Sequence, residues 1–200
     1  MLTILDFGAV LYNIDFELTK KALSALPGYN GNPINFGVDV QSDVFIDIDK
    51  GAISEAAFRA ELRRLWAFTC TDAELDAAWC AILKGIFPTS TDVVRNFAAR
   101  GPVVLLSNIG TMHLRYAFPE CMHMLSHFTK RFYSFEIGLR KPDPAAFHHV
   151  CAIMNVAPHE ATLYDDSLAN CNSAAAIGMH VVRVLTPEVL VPLSLGQTSA

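Results

Sequence analysis

The chain has 200 residues, 52% of them hydrophobic, and a formal charge of −5. That length and apolar content can fill one large domain, or a compact domain with a small insert, and they exclude a disordered chain. With no run of Lys or Arg, the acidic balance argues against a face that tracks a phosphate backbone, so nucleic acid is not an expected partner. Cys70, Cys80, Cys121, Cys151 and Cys171 are odd in number and contain no C-x-x-C pair. They point to buried free thiols in a reducing compartment rather than to a zinc ribbon or a disulfide framework. The N-terminus lacks a basic start, Asp6 interrupts its apolar stretch, and no uncharged apolar run approaches the roughly 18 residues of a membrane span. A soluble, unexported, cytoplasmic protein, monomer or homodimer, is expected, with no membrane partner.

In chain order, LTILD (2–6) reads as a short buried strand that runs out into Gly8. Asp15 can cap a helix with Leu18, Ala22, Ala25 and Leu26 on one side, stopped by Pro27-Gly28. Ser54 can cap a second with Phe58, Leu62, Leu65 and Trp66 as its stripe. Thr71-x-x-Glu74 matches a capping box before a third that buries Leu75, Ala78, Trp79 and Ile82. VFIDID (44–49) alternates, but its flanks look helical or irregular, so the stretch from about 14 to 88 reads as a helical unit without strands. From Thr89 the pattern alternates. A helix through Val93, Val94 and Phe97 ends at Gly101, and VVLLS (103–107) has the continuous apolar character of a strand buried on both faces. After another helix, YSFEIG offers a short strand, and Pro142-Asp143-Pro144 opens a helix with Phe147, Val150, Cys151 and Met154 inside. ATLYD is a strand, Ser167 to Ile177 a small-residue helix, HVVRV a last strand, and LSLGQTSA looks free to fray. This order implies an α/β fold, a doubly wound parallel sheet (1–13 and 89–200) with a helical cap (14–88) inserted after the first strand.

In open α/β sheets ligands bind at the carboxyl ends of the strands. There this chain places Asp6, Ser107-Asn108 and Asp165-Asp166, and the turn before the Pro142 helix adds Lys141. Phosphoryl transfer through a covalent intermediate needs these groups: a carboxylate nucleophile, carboxylates for a hard cation such as Mg2+, hydroxyl or amide donors, and a positive side chain. Each piece alone has a plainer reading as a cap, a turn or a surface lysine; their joint order and placement carries the signal.

On the segments ILDFGAVL, VVLLSN, GLRKPDP and LYDDSLAN the chain resembles the haloacid dehalogenase superfamily, specifically its phosphatases with a small helical cap. The form Asp, apolar, Gly, small, Val, with an acidic residue at Asp15, the cap segment DKGAISEAAF and LRKP are similar to bacterial sugar-phosphate phosphatases of the glucose 1-phosphate type. The resemblance implies a Rossmann-like core and hydrolysis of a small phosphorylated metabolite. It makes Asp6 the nucleophile, Ser107 and Asn108 phosphate-binding groups, and Lys141 the stabiliser of nucleophile and phosphate. Asp6, Asp166 and the Gly8 carbonyl would hold Mg2+, with Asp165 behind them or alternating with Asp166.

The family's usual residue at position 8 is a second Asp, whose side chain handles the proton and whose carbonyl ligates the metal. Gly8 keeps only the carbonyl. Loss of general acid-base help slows catalysis by typically about 10²- to 10⁴-fold, so turnover is expected to be slow or limited to good leaving groups, with water or Asp15 as the substitute. Two other readings remain: a metal-independent hydrolytic haloacid dehalogenase, against which Asp165-Asp166 speaks, and a non-catalytic binder of a phosphorylated ligand. His123 and His127, His148 and His149, and Trp66 and Trp79 read as ordinary helix and core positions.

Overall fold

The structure, a computed structural model, describes residues 1–37 and 41–197. Five parallel strands form one sheet in the order β5-β4-β1-β6-β7: β1 (Leu2–Leu5), β4 (Val103–Ser107), β5 (Lys130–Tyr133), β6 (Ala161–Asp165) and β7 (His180–Arg183). Successive side chains of a strand point to opposite faces. Leu5, Val103 and Leu105 therefore pack under α5 (Ser90–Arg100), α6 (Thr111–Leu125) and α10 (Leu190–Ser194). Ile4, Val104, Leu106 and Leu163 meet α8 (Pro144–Met154) and α9 (Leu168–Ala176) on the other face. Burial on both faces explains why β4 reads as an unbroken apolar run.

Between β1 and α5 lie α1 (Phe16–Ser24), α2 (Asp43–Asp49), α3 (Glu55–Trp66) and α4 (Asp72–Trp79). Their core is aromatic: Phe45 stacks on Trp79 with ring centroids 5.0 Å apart, and Phe58 and Trp66 close around them. Asp15, Ser54 and the Thr71–Glu74 capping box cap α1, α3 and α4 as expected. The alternating VFIDID is helical, as α2.

Four expectations need correction. This stretch is not free of strands: β2 (Tyr12–Ile14) pairs antiparallel with β3 (Leu83–Ile86). LKGI hid β3, because its Gly85 takes φ +114° and only pairing with β2 holds it extended. In α1 the buried residues are Thr19 and Leu23, while Leu18 is exposed, because Thr19 Oγ1 donates to the Trp79 carbonyl at 2.9 Å and fixes the helix phase. The strand expected at YSFEIG comes earlier, as β5, and Ser134–Ile137 forms the short α7. The exposed pair Lys130-Arg131, suited to an edge strand, broke its apolar signature. Finally, LSLGQTSA is partly tied down: Arg100 Nη1 donates to the Leu193 carbonyl at 2.8 Å and Ser194 is buried; its last three residues lie outside those described. All five cysteines are free and buried, and no helix among the described residues is long and apolar enough to cross a membrane.

Candidate active site

Parallel pairing of β1 with β4 and β6 places three carboxyl ends side by side. Leu5 pairs with Leu105 and with Tyr164, so Asp6 comes level with Asp165 and just short of Ser107. Lys141 reaches this edge from the loop between α7 and α8. Asn108 holds it there: Asn108 Nδ2 donates to the Lys141 carbonyl at 2.8 Å and Oδ1 accepts from the Lys141 amide at 3.0 Å. Asn108, expected to meet phosphate, thus has one side-chain donor and its acceptor engaged in positioning the lysine.

The Lys141 ammonium is buried and bridges Asp6 Oδ1 at 2.7 Å and Asp165 Oδ2 at 2.6 Å. Asp165 Oδ1 accepts from the Ser167 amide at 3.0 Å and from Asn170 Nδ2 at 2.9 Å. With both oxygens bonded, Asp165 orients the lysine and the start of α9, while Asp166 lines the open cavity. Among the described residues, Asp6, Asp165 and Asp166 form a group whose ligand atoms lie within 4.8 Å of one another. Three carboxylates around one ammonium carry a charge of −2 when all are ionised. Burial, only partly offset by Lys141, pushes Asp6 up to about 7. Asp166 is raised first by burial and then by Asp165, whereas Lys141 is held above its ordinary value because Asp165 and Asp6 together outweigh its own burial. The donor set is all oxygen and short of positive charge, which fits a hard divalent cation.

Gly8 lines the same cavity. The tip of Ile14 leans over it: a Cβ on Gly8 would lie 2.8 Å from Ile14 Cδ1. The next residue, Ala9, adopts φ +59°, where an L side chain is strained.

The cavity above these groups has a volume of about 490 Å³, within the range of small-ligand sites. Ile14, Phe16, Phe36 and Ile82 give it an apolar side; Gln41, Asp49, His113 and Arg140 give it a polar one. Arg140 Nη2 donates to Gln41 Oε1 at 2.6 Å, and its Nε lies 3.7 Å from Asp49 Oδ2. His113 stacks on Trp79 with centroids 4.5 Å apart, its Nε2 is 3.2 Å from the Trp79 carbonyl, and burial holds its pKa down at about 4. These four were not picked out from the sequence. Arg140 and Asp49 each had a signal, since Arg140 stands beside Lys141 in LRKP and Asp49 opens the cap segment DKGAISEAAF, though neither was given a role. Asp15 does not line the cavity: its carboxylate caps α1 by accepting from the Glu17 amide at 3.0 Å. His123 and His127 pack ring to ring on and just after α6, in no ligand group among the described residues. Trp66 and Trp79 are buried in the helical core.

A family model described as haloacid dehalogenase-like hydrolase matches residues 9–178, taking in Ser107, Lys141, Asp165 and Asp166 and starting just after Gly8. The chain belongs to the haloacid dehalogenase-like hydrolases. Among curated proteins of similar sequence is a D-ribitol-5-phosphate phosphatase of Bacteroides thetaiotaomicron, 24% identical over 88% of this chain and 87% of the relative. A 6-phosphogluconate phosphatase of Escherichia coli is 30% identical over 64% of this chain and 51% of its own length. A solved haloacid dehalogenase family enzyme from B. thetaiotaomicron, in complex with magnesium and inorganic phosphate, superposes with a TM-score of 0.80 at 28% identity, covering 91% and 92% of the two chains. L-2-haloacid dehalogenase of Xanthobacter autotrophicus, 18% identical with a TM-score of 0.60 over 100% of this chain and 84% of its own, shares the fold.

Proposed function

We propose that this hydrolase is a Mg2+-dependent phosphatase that cleaves a small phosphorylated metabolite, a sugar or polyol phosphate, through an aspartyl phosphate on Asp6. The observation that carries the reading is the Lys141 ammonium bridging Asp6 and Asp165 beside Asp166, on the floor of a cavity sized for one small ligand. The relatives that are sugar- and polyol-phosphate phosphatases, and the similar structure holding magnesium and phosphate, support it.

In this mechanism the Asp6 carboxylate attacks phosphorus, its ionised form favoured against burial by Lys141 at 2.7 Å. Ser107, buried at the end of β4, donates to a phosphoryl oxygen. Asp6, Asp166 and the Gly8 carbonyl would hold Mg2+, which supplies positive charge to the phosphoryl oxygens when bound. Water then attacks the aspartyl phosphate and frees Asp6. Residues 14–88 act as a cap, a reading supported by their separate aromatic core and by β2 and β3 at the passage to and from the sheet. A dehalogenase has little use for three carboxylates at one strand edge, and the cluster therefore favours phosphoryl chemistry. Hydrolysis of a chromogenic phosphomonoester should vanish with EDTA, return with Mg2+, and be absent in Asp6→Asn; release of halide from a 2-haloacid with no phosphatase activity would reverse the assignment.

A further inference from the structure

Phosphate ester cleavage at this site needs a proton for the leaving oxygen, and the position that supplies it in the family's usual form carries no side chain here. Gly8 has no side chain, and Ile14 Cδ1 stands 2.8 Å from where its Cβ would be. An ester whose phosphoryl group rests on Asp6 and Ser107 must point its leaving group away from the strand ends, toward the cavity walls. The proton source is therefore to be sought among ionisable wall residues.

Three lining groups besides the floor cluster can carry charge: Asp49, His113 and Arg140. Arg140 does not release its proton. His113 has its Nε2 directed at the Trp79 carbonyl and is kept neutral by burial. Asp49 is different. It ends α2, is buried, and its side chain touches no member of the floor cluster. Its backbone is anchored to the loop that follows Ser107 and carries Asn108, because Ser134 Oγ donates to the Asp49 carbonyl at 2.5 Å and accepts from the Ile109 amide at 2.9 Å. Its Oδ1 would be 3.7 Å from a Cβ on Gly110, in that same loop. The carboxyl is thus fixed beside the exit of β4 and open to the cavity.

Building on the phosphatase reading, we infer that Asp49 is the general acid and base of this enzyme, supplied by the cap in place of the residue lost at position 8. As the Asp6 Oδ–phosphorus bond forms and the bond from phosphorus to the leaving oxygen breaks, the Asp49 carboxyl passes its proton to that oxygen and the alcohol departs. The Asp49 carboxylate then takes a proton from the water that attacks phosphorus; the bond to Asp6 breaks, inorganic phosphate leaves, and Asp49 is again protonated. One ester and one water give one alcohol and one phosphate, with no other reactant.

The electrostatics agree with this geometry. Burial raises Asp49 to about 6, with Arg140 acting against the rise, so both protonation states are populated near neutral pH. Arg140, from the loop before α8, is the charged group shown to act on it. Ser134 of α7 meets its backbone, the loop before α6 presents Gly110, and His113 on α6 is neutral.

The test compares leaving groups in the Mg2+-loaded enzyme. Asp49→Asn should lower kcat/KM, which reports the steps through departure of the alcohol, for an alkyl or polyol phosphate by about 10²-fold or more, and for nitrophenyl phosphate by at least about ten-fold less, since a nitrophenolate leaves without help. In the same variant Ile14→Val, which removes Cδ1, combined with Gly8→Asp should restore the alkyl rate. Arg140→Gln, which keeps Asp49, should move the alkaline limb of the kcat/KM profile for the alkyl phosphate to higher pH. Equal losses for both leaving groups, no loss, or an unmoved alkaline limb in Arg140→Gln would overturn the assignment. Failure of the phosphatase reading itself would look different: the parent enzyme would hydrolyse no phosphomonoester at all.

Discussion

Lys141→Met removes one charge from the centre of the site and leaves its shape nearly intact. The ammonium is 1% exposed, 2.7 Å from Asp6 and 2.6 Å from Asp165, so solvent does not replace it. Methionine keeps much of the apolar stem, and the backbone groups held by Asn108 are unchanged. Deleting one partner of a buried ion pair costs about 3–5 kcal/mol. Here two bonded carboxylates are left facing a third, and the upper half of that range is expected in EDTA at neutral pH. The pH dependence has a definite sign. Without the ammonium, Asp6 in the folded protein lies still further above its unfolded value than it does now, at about 7. Stability from such a raised carboxyl is present below the unfolded pKa and lost as pH rises through the folded one. The deficit of the variant should therefore be largest near about pH 8 and shrink toward about pH 4.5, where protons take over the neutralising role. Urea denaturation with linear extrapolation at both pH values measures it. A deficit under about 1 kcal/mol at both, or one that grows on acidification, would show that the ammonium does not neutralise these carboxylates.

Three further outcomes follow from local geometry. Ala9→Gly relieves the strain of φ +59° and should raise stability by about 0.5–1 kcal/mol after the added freedom of the unfolded chain is counted; an unchanged or lower Tm contradicts this. Asp15→Asn should leave turnover untouched and Asp15→Ala should cost about 1 kcal/mol of stability, because the carboxylate caps α1 outside the cavity; a drop in kcat without a loss of stability would return Asp15 to the chemistry. Gly51→Ala should destabilise by about 2 kcal/mol or more, since Gly51 has φ +66° and its Cβ would lie 2.4 Å from the Phe135 carbonyl oxygen. It should also lower turnover by shifting the end of α2 away from α7, and wild-type stability and rate would show that this contact is unimportant.

The sheet was readable because β1, β4 and β6 are buried on both faces, and that burial imposes apolar runs ending at the polar residues of the site. The caps of α1, α3 and α4 were readable for an equally local reason, a side chain bonding an amide two or three residues away. What escaped depends on distant partners. Nothing within LKGI requires a strand; β3 exists because Tyr12–Ile14 lies beside it. The phase of α1 is set by Trp79, 60 positions beyond Thr19. The same holds at the site. Asp6, Ser107, Lys141 and Asp165 follow from strand ends, but the placing of Asp49 comes from Ser134, 85 residues away, and the Ile14 side chain that leans over Gly8 has no local signature. Gly8 could be read as a missing acid; that Ile14 leans over it could not.

Everything in the proposed chemistry passes through a phosphoryl group on Asp6. Rapid acid quench of the Mg2+-loaded enzyme during turnover of a phosphomonoester, followed by peptide mass spectrometry, tests it directly. A phosphorylated peptide containing Asp6 is expected, absent from Asp6→Asn and, with nitrophenyl phosphate, accumulating when the water-attack step is slowed in Asp49→Asn. Steady hydrolysis with no phosphoryl group on that peptide, or full activity in Asp6→Asn, would contradict it.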